Sequence, residues 1–163
     1  MKNEHGDLRE ELQHGYRFAL ALTHDRARAE DLVHEVVLRF VRSEHQVTRW
    51  VLFRSIKNLF IDELRRSQAR PELVPFDENV ACSIPARDDA EWDEPLHLSN
   101  GTLTHALAKI RPEERAVIYL AAVEELTAQA IADLLEWPRS TVLSLLARGR
   151  VKLRAHLEEQ VDG

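Results

Sequence analysis

An acidic segment that contains four prolines divides this 163-residue chain into two blocks with helical periodicity. The segment covers residues 70–101, and within it residues 72–100 hold eight acidic side chains and a single basic one. Because no apolar period is sustained there, the composition is typical of a linker rather than of a helix or a strand. We therefore expect two small domains, one over residues 1–69 and one over residues 102–163.

The first block has the apolar spacing of three amphipathic helices. Apolar residues from Leu12 to Leu20 recur at three- and four-residue spacing, as on one face of a helix. Asp25 is placed to cap a second helix, whose apolar stripe includes Leu32. A polar break at residues 43–48 precedes a third helix over about residues 50–68. We expect a three-helix domain.

The second block predicts four helices, so that the whole chain is expected to be all-α. The first covers about residues 103–110, and Pro112 fits the first turn of the next. Thr127 is placed to cap a short third helix that ends near Leu135. A long final helix is expected from Arg139 to about residue 159.

Residues 127–150 have the pattern of a helix-turn-helix, with a short capped helix, a three-residue turn and a second helix. Five apolar residues are spaced to meet across the turn: Ile131, Ala132, Leu135, Val142 and Leu146. Glu136 stands where a left-handed backbone is expected, which costs a non-glycine residue about 1 kcal/mol. In such a motif the second helix enters the major groove of DNA by its N-terminal end.

The charge of the final helix favours a nucleic-acid partner, although the net charge of the chain is −6. Residues 138–157 hold five basic side chains and no acidic one, which is the local stripe that phosphate binding needs. The candidate DNA-binding residues of this block are Arg139, Ser140, Thr141, Ser144, Arg148, Arg150 and Lys152, with Arg154 beyond them. A helical hairpin with a solvated basic face would show the same pattern, so the motif alone leaves both interpretations open.

We expect no catalytic centre, metal site, cofactor or membrane insertion. The single cysteine, Cys82, forms neither an internal disulfide nor a structural zinc site. His34-Glu35 lacks the second histidine of a metalloprotease helix, and no glycine-rich phosphate loop is present. No apolar run approaches the roughly 18 residues that span a bilayer, and residues 1–11 do not resemble a secretory signal. The expected location is the cytoplasm.

Taken together, the two blocks resemble the extracytoplasmic-function (ECF) sigma factors of bacterial RNA polymerase. In the first block the resemblance lies in residues 29–36, 50–58 and 61–66, which are similar to region two of that family. In the second block it lies in Leu126-Thr127, Ile131-Ala132, Leu135, Pro138, Thr141-Val142, Ser144 and residues 148–154, which are similar to region four. The order and separation of these motifs are more specific than any one of them.

The resemblance implies partners and roles for individual residues. Asp31, Leu32 and Glu35 would grip the clamp helices of the largest subunit of core RNA polymerase. Region two would also hold the promoter strand as it melts, and its candidate DNA-binding residues are Arg49, Trp50, Arg54, Lys57, Asn58, Arg65 and Arg66. Region four would read the upstream promoter element as a duplex and rest on the flap of the second-largest subunit. An anti-sigma factor is an expected further partner, and the acidic linker would lie along the nucleic-acid channels of the polymerase.

Two other functions compete with a sigma factor that directs polymerase to promoters. Leu143 and Leu145 stand where family members often carry lysine or arginine, which predicts weaker phosphate binding. They favour a sigma-like protein-interaction module that sequesters an anti-sigma factor without reading promoters. A simple helix-turn-helix repressor is the third interpretation, but it leaves the first block without a role.

Overall fold

The computed structural model describes residues 8–67 and 100–161, and this part of the chain folds into helices and short connections without a strand. The helices are α1 (Leu8–Thr23), α2 (Arg26–Ser43), α3 (Arg49–Ser67), α4 (Asn100–Ala108), α5 (Pro112–Ala122), α6 (Ala128–Leu135) and α7 (Arg139–Val161). The all-α prediction is confirmed. Residues 70–99 of the predicted linker lie outside the described residues, as does its expected path along the polymerase. No described helix is long and apolar enough to cross a membrane.

The chain divides into two compact units, the first built on α1–α3 and the second mainly on α4–α7, with residues 133–136 at the end of α6 grouped with the first. In the first unit each helix contacts the other two. The rings of Phe18 and Phe53, both fully buried, lie 4.7 Å apart between centroids and join α1 to α3. Gly15 lets the same two helices approach closely, because a Cβ there would lie 3.3 Å from Leu52 Cδ1.

Local capping signals fix the ends of the helices in the first unit. The carboxylate of Asp25 accepts a hydrogen bond from Arg28 N at 3.2 Å, which confirms the predicted cap of α2. The same helix ends at Ser43, followed by Glu44 with a left-handed backbone (φ 55°). Thr48 Oγ1 accepts from Val51 N at 3.4 Å and begins α3 one residue earlier than the periodicity predicts.

In the second unit α7 packs against α4 and α5. Pro112 is the first residue of α5, as predicted, and its lack of an N–H costs nothing there because an N–H at that position has no partner within the helix. The buried guanidinium of Arg115 donates to the carbonyl oxygens of Leu107 and Ile110 at the end of α4, where carbonyl groups run out of partners within the helix. Burial lowers the pKa of Arg115, but the guanidinium remains protonated at neutral pH.

Candidate nucleic-acid interface

Helices α6 and α7 form the predicted helix-turn-helix. Thr127 Oγ1 accepts from Ala130 N at 3.1 Å, which confirms it as the cap of α6. The turn is closed by a hydrogen bond from Trp137 N to Ala132 O at 3.1 Å. Glu136 has a left-handed backbone with φ 58°, as its position in the turn predicts. The motif therefore forms at the cost of a strained glutamate.

The five residues predicted to meet across the turn are all buried: Ile131, Ala132, Leu135, Val142 and Leu146. Leu145 is buried as well, with 3% of its surface exposed, while Leu143 is half-buried. Leu145 is therefore part of the apolar core and not an exposed position that lacks a cation. The expectation that both leucines replace phosphate-binding side chains is wrong for Leu145.

The N-terminal end of α7 presents polar side chains. Arg139 and Ser140 are exposed, whereas Thr141 and Ser144 are half-buried. Ser144 Oγ donates to Ser140 O at 2.9 Å, so its hydroxyl hydrogen is used within the helix. Arg139 and Ser140 are thus the side chains of this end that best meet the geometric needs of a base or phosphate contact.

The basic side chains of α7 lie on two flanks of the helix rather than in the single stripe that the sequence suggests. At about 100° per residue, Arg139, Arg150 and Arg154 fall on one flank, and Arg148 and Lys152 fall on the other. Val151, 62% exposed, lies between them. Arg154 is exposed, whereas Arg148, Arg150 and Lys152 are half-buried. Burial lowers the pKa of Arg150 without removing its charge at neutral pH.

Lys152 is held inside its own unit by a glutamate that the sequence analysis did not single out. Its Nζ lies 2.8 Å from Oε1 of Glu114, a residue of α5 that is 1% exposed. The two residues are 38 positions apart, so no local sequence pattern predicts that they pair. The ion pair neutralises part of the Lys152 charge, but 42% of the side chain is exposed, so a contact with a DNA phosphate stays a prediction.

In the first unit, α2 exposes Asp31 and Glu35, as a partner-binding role requires. Glu35 also pairs with Arg39 one turn further along the helix. Leu32, in contrast, is 1% exposed and belongs to the core of the unit. The prediction that Leu32 contacts the polymerase is therefore corrected. The apolar periodicity, which assigns Leu32 to the buried stripe, is the better guide at this position.

The exposed face of α2 continues into apolar side chains. Leu38 lies about one turn beyond Glu35, and Val41 about one turn beyond Leu38; they are 55% and 70% exposed. A groove of about 840 Å³ lies beside this face, between α1 and α2. It is lined by Arg9, Leu12, Gln13, Tyr16, Val33, His34, Val37 and Leu38. Carboxylates next to exposed apolar side chains are typical of a protein interface with a polar rim.

Most of the predicted DNA-binding residues of α3 are at the surface. Arg54, Asn58, Arg65 and Arg66 are exposed. Trp50 is 45% exposed, and its ring makes a T-shaped contact with the buried Phe53 ring, with centroids 6.0 Å apart at 77°. This contact fixes the indole while leaving part of it accessible, an arrangement that suits stacking on an unpaired base.

Two of the predicted DNA-binding residues of α3 are buried or ion-paired within the first unit. Lys57 is 5% exposed, and burial lowers the pKa of its ammonium group. Arg49 forms ion pairs with Glu10 and Glu11 of α1, at 3.8 Å and 3.5 Å. The prediction that Lys57 contacts DNA directly is therefore corrected, whereas the role of Arg49, whose side chain is 24% exposed, stays a prediction. Both lie in a helix whose basic residues look alike in sequence, and only packing separates them.

Two family models match the chain, one in each unit. Residues 8–70 match region 2 of sigma-70, and residues 101–153 match region 4 of sigma-70. Each match covers the helices that carry the candidate residues of its unit.

Characterised relatives are similar over most of the chain. The ECF RNA polymerase sigma factor SigE of Mycolicibacterium smegmatis is 33% identical over 92% of this chain, which spans 60% of the length of SigE. The ECF RNA polymerase sigma factor SigL of Mycobacterium tuberculosis is 32% identical, over 88% of this chain and 82% of SigL. The RNA polymerase sigma factor YlaC of Bacillus subtilis is 23% identical, over 94% of both chains.

A solved structure has a similar fold. It is the sigma factor RpoE from Bartonella quintana, crystallised in complex with the anti-sigma factor NepR. The TM-score is 0.65 at 18% sequence identity, over 93% of this chain and 94% of the other. At this identity the likeness supports the fold.

Proposed function

The chain belongs to the ECF RNA polymerase sigma factors, and we propose that it directs core RNA polymerase to specific promoters and initiates transcription there. The observation that carries this proposal is the pairing of two surfaces on one chain. One is the exposed acidic and apolar face of α2, and the other is the exposed N-terminal end of α7 in a helix-turn-helix. It acts as an adaptor in the cytoplasm, where the polymerase is, and has no catalysis of its own.

The first step is docking on the polymerase. Asp31 and Glu35 bind the clamp helices of the largest subunit, a role supported by the family resemblance and by their exposure. Leu38 and Val41 extend this surface with apolar area that a partner would bury. Leu32 contributes from within, by fixing the face of α2 that turns outward.

The second step is capture of the melting promoter strand by α3. Trp50 stacks on an unstacked base, and Arg54, Asn58, Arg65 and Arg66 follow the strand. Stacking on an aromatic side chain beside cations is the general means by which proteins hold single-stranded nucleic acid.

The third step is recognition of the upstream element as a duplex. The N-terminal end of α7 enters the major groove, where Arg139 and Ser140 meet base edges or phosphates. Arg148, Arg150 and Arg154 approach the sugar-phosphate backbone from the two flanks of the helix, and the unit rests on the flap of the second-largest subunit. An anti-sigma factor that covers these faces would hold the protein inactive.

Reconstitution with core polymerase tests the proposal. The wild-type protein with core enzyme is expected to initiate run-off transcripts from promoters selected out of a random library. Asp31→Ala combined with Glu35→Ala is expected to abolish core binding and leave the helical circular dichroism unchanged, because both side chains are exposed. Glu158→Ala with Glu159→Ala removes the same charge from an exposed site on α7 and serves as the matched control. Undiminished core binding by the α2 variant would contradict the docking surface.

A sigma-like module that only sequesters an anti-sigma factor is the second candidate. Leu143 is only half-buried, so part of an apolar side chain remains accessible to a protein partner, and this observation favours the second candidate. Leu145 no longer does so, because it belongs to the core. The same assay separates the two, because a sequestering module would bind without producing transcripts from any promoter.

A further inference from the structure

A buried carboxylate joins the start of α5 to the middle of α7. Glu114 is 1% exposed and uses both of its oxygens. Oε2 accepts from Arg111 N at 3.2 Å, at the N-terminal end of α5. Oε1 accepts from Lys152 Nζ at 2.8 Å, across the interface with α7. Since both oxygens have partners in fixed positions, the carboxylate has a defined orientation. It therefore fixes the position of the Lys152 ammonium group.

The two helices also approach closely about one turn before this contact. A Cβ added to Gly149 would lie 2.7 Å from Ile118 Cδ1 and 3.2 Å from Glu114 Cβ, so the backbone of α7 lies directly on α5 there. Gly149 allows the two helices to approach closely. Lys152 lies three residues further along α7 and links it to α5 through Glu114. The contact at glycine does not itself specify rotation about the helix axis, whereas a directional hydrogen bond does, and it adds to the constraint from the buried Val142 and Leu146 of α7.

We propose that Glu114 and Lys152 are positioning residues that set the rotation of α7 on α5 and thereby aim Arg139 and Ser140 at the promoter. The inference rests on the proposed function and adds a determinant of promoter specificity to it. Side-chain tips lie about 6 Å from a helix axis, so a rotation of about 20° displaces them by about 2 Å. A displacement of that size is enough to break a bidentate contact with a base edge.

The same geometry separates this role from a direct contact with DNA. A lysine that neutralises a phosphate contributes about 0.9 to the slope of log K against log salt concentration. Lys152 is paired with a buried carboxylate, so its removal is expected to leave that slope unchanged. What changes is discrimination, meaning the ratio of affinities for a promoter and for the same DNA with its upstream element scrambled.

The test uses holoenzyme assembled from the full chain and core polymerase, with a promoter that the wild-type holoenzyme itself has selected. Lys152→Met is compared with Lys152→Arg, which keeps a cation opposite Glu114, and with the double variant Glu114→Gln, Lys152→Met. The double variant leaves no unpaired buried charge. It therefore separates an effect on the orientation of α7 from a loss of folding stability. Arg154→Met, which removes an exposed cation from the same helix, calibrates the salt slope.

We expect Lys152→Met and the double variant to lose discrimination by on the order of tenfold at an unchanged salt slope. Lys152→Arg is expected to stay within about twofold of the wild type. A slope lowered by about 0.9 in Lys152→Met with discrimination intact would make Lys152 a phosphate contact and overturn the inference. Full discrimination in the double variant would overturn it too, by reducing the pair to a stabilising contact. If the wild-type protein selects no promoter, the proposed function itself is contradicted. That result is distinct from the two outcomes that overturn only the inference about Glu114 and Lys152.

Discussion

Nη1 of Arg115 lies 2.6 Å from the carbonyl oxygen of Ile110, in a contact that is buried. The same nitrogen reaches Leu107 O at 3.3 Å, so one guanidinium closes the end of α4 from the first turns of α5. This connection matters for the helix-turn-helix, because α4 and α5 are the helices on which α7 packs. The cation has a structural role, although its residue type and neighbourhood would also suit a nucleic-acid contact.

Arg115→Met is expected to destabilise the second unit by about 2–3 kcal/mol, because the buried carbonyl oxygen of Ile110 and the partly buried one of Leu107 lose a charged donor. Urea unfolding of the full chain followed by circular dichroism measures the loss. Arg154→Met, on the exposed side of α7, is the matched control and should change the unfolding free energy by less than about 0.5 kcal/mol. Equal stability of the two variants would show that water replaces the guanidinium without cost.

Gly149→Ala is expected to lower the stability of the second unit by about 1 kcal/mol. Alanine raises helix propensity by about 1 kcal/mol, but overpacking against Ile118 Cδ1, 2.7 Å from the new methyl, costs about 1–3 kcal/mol. Ile118→Val removes that Cδ1 atom. It should therefore cost less in the Gly149→Ala background than in the wild type, as a double-mutant cycle of unfolding free energies would reveal. Strict additivity of the two changes would mean that α5 and α7 move apart instead.

The ends of the helices could be predicted from the sequence because their causes are local. Asp25 and Thr127 accept hydrogen bonds from backbone N–H groups three residues later, and Pro112 starts α5 with a fixed φ. Each signal lies within one turn of the structure that it specifies. The left-handed backbone of Glu136 could be expected for the same reason, since the turn between two helices leaves few other conformations.

The candidate sites were harder to predict, because packing distinguishes residues that look equivalent in sequence. Lys57 and Arg54 are both basic residues of α3, yet one is buried and the other is exposed. Lys152 belongs to a basic run in the sequence, but its partner Glu114 is 38 residues away. For Leu32 the apolar period predicts burial and the family resemblance implies a polymerase contact, and its 1% exposure agrees only with the first. Long-range pairs of this kind have no sequence period.

Leu38→Ser combined with Val41→Ser is expected to weaken binding to core polymerase by on the order of tenfold. Both side chains are more than half exposed, so the fold should lose less than about 0.5 kcal/mol. Fluorescence anisotropy of labelled protein titrated with core enzyme measures the affinity. Val151→Ser replaces an exposed valine of α7, 62% accessible, and should bind core enzyme as the wild type does. If the α2 variant also binds normally, the apolar end of α2 lies outside the interface.

Trp50→Ala is expected to slow promoter opening by on the order of tenfold, because stacking of one base on an aromatic side chain contributes about 1–3 kcal/mol. The indole is 45% exposed and makes a T-shaped contact with Phe53, so its removal should leave the core of the first unit intact. Permanganate footprinting of holoenzyme on a selected promoter measures opening. A promoter that is already mismatched at the melting site should restore the rate to that of the wild type, and Trp50→Phe should retain most of it. A defect that persists on the mismatched promoter would assign Trp50 to docking or folding rather than to strand capture.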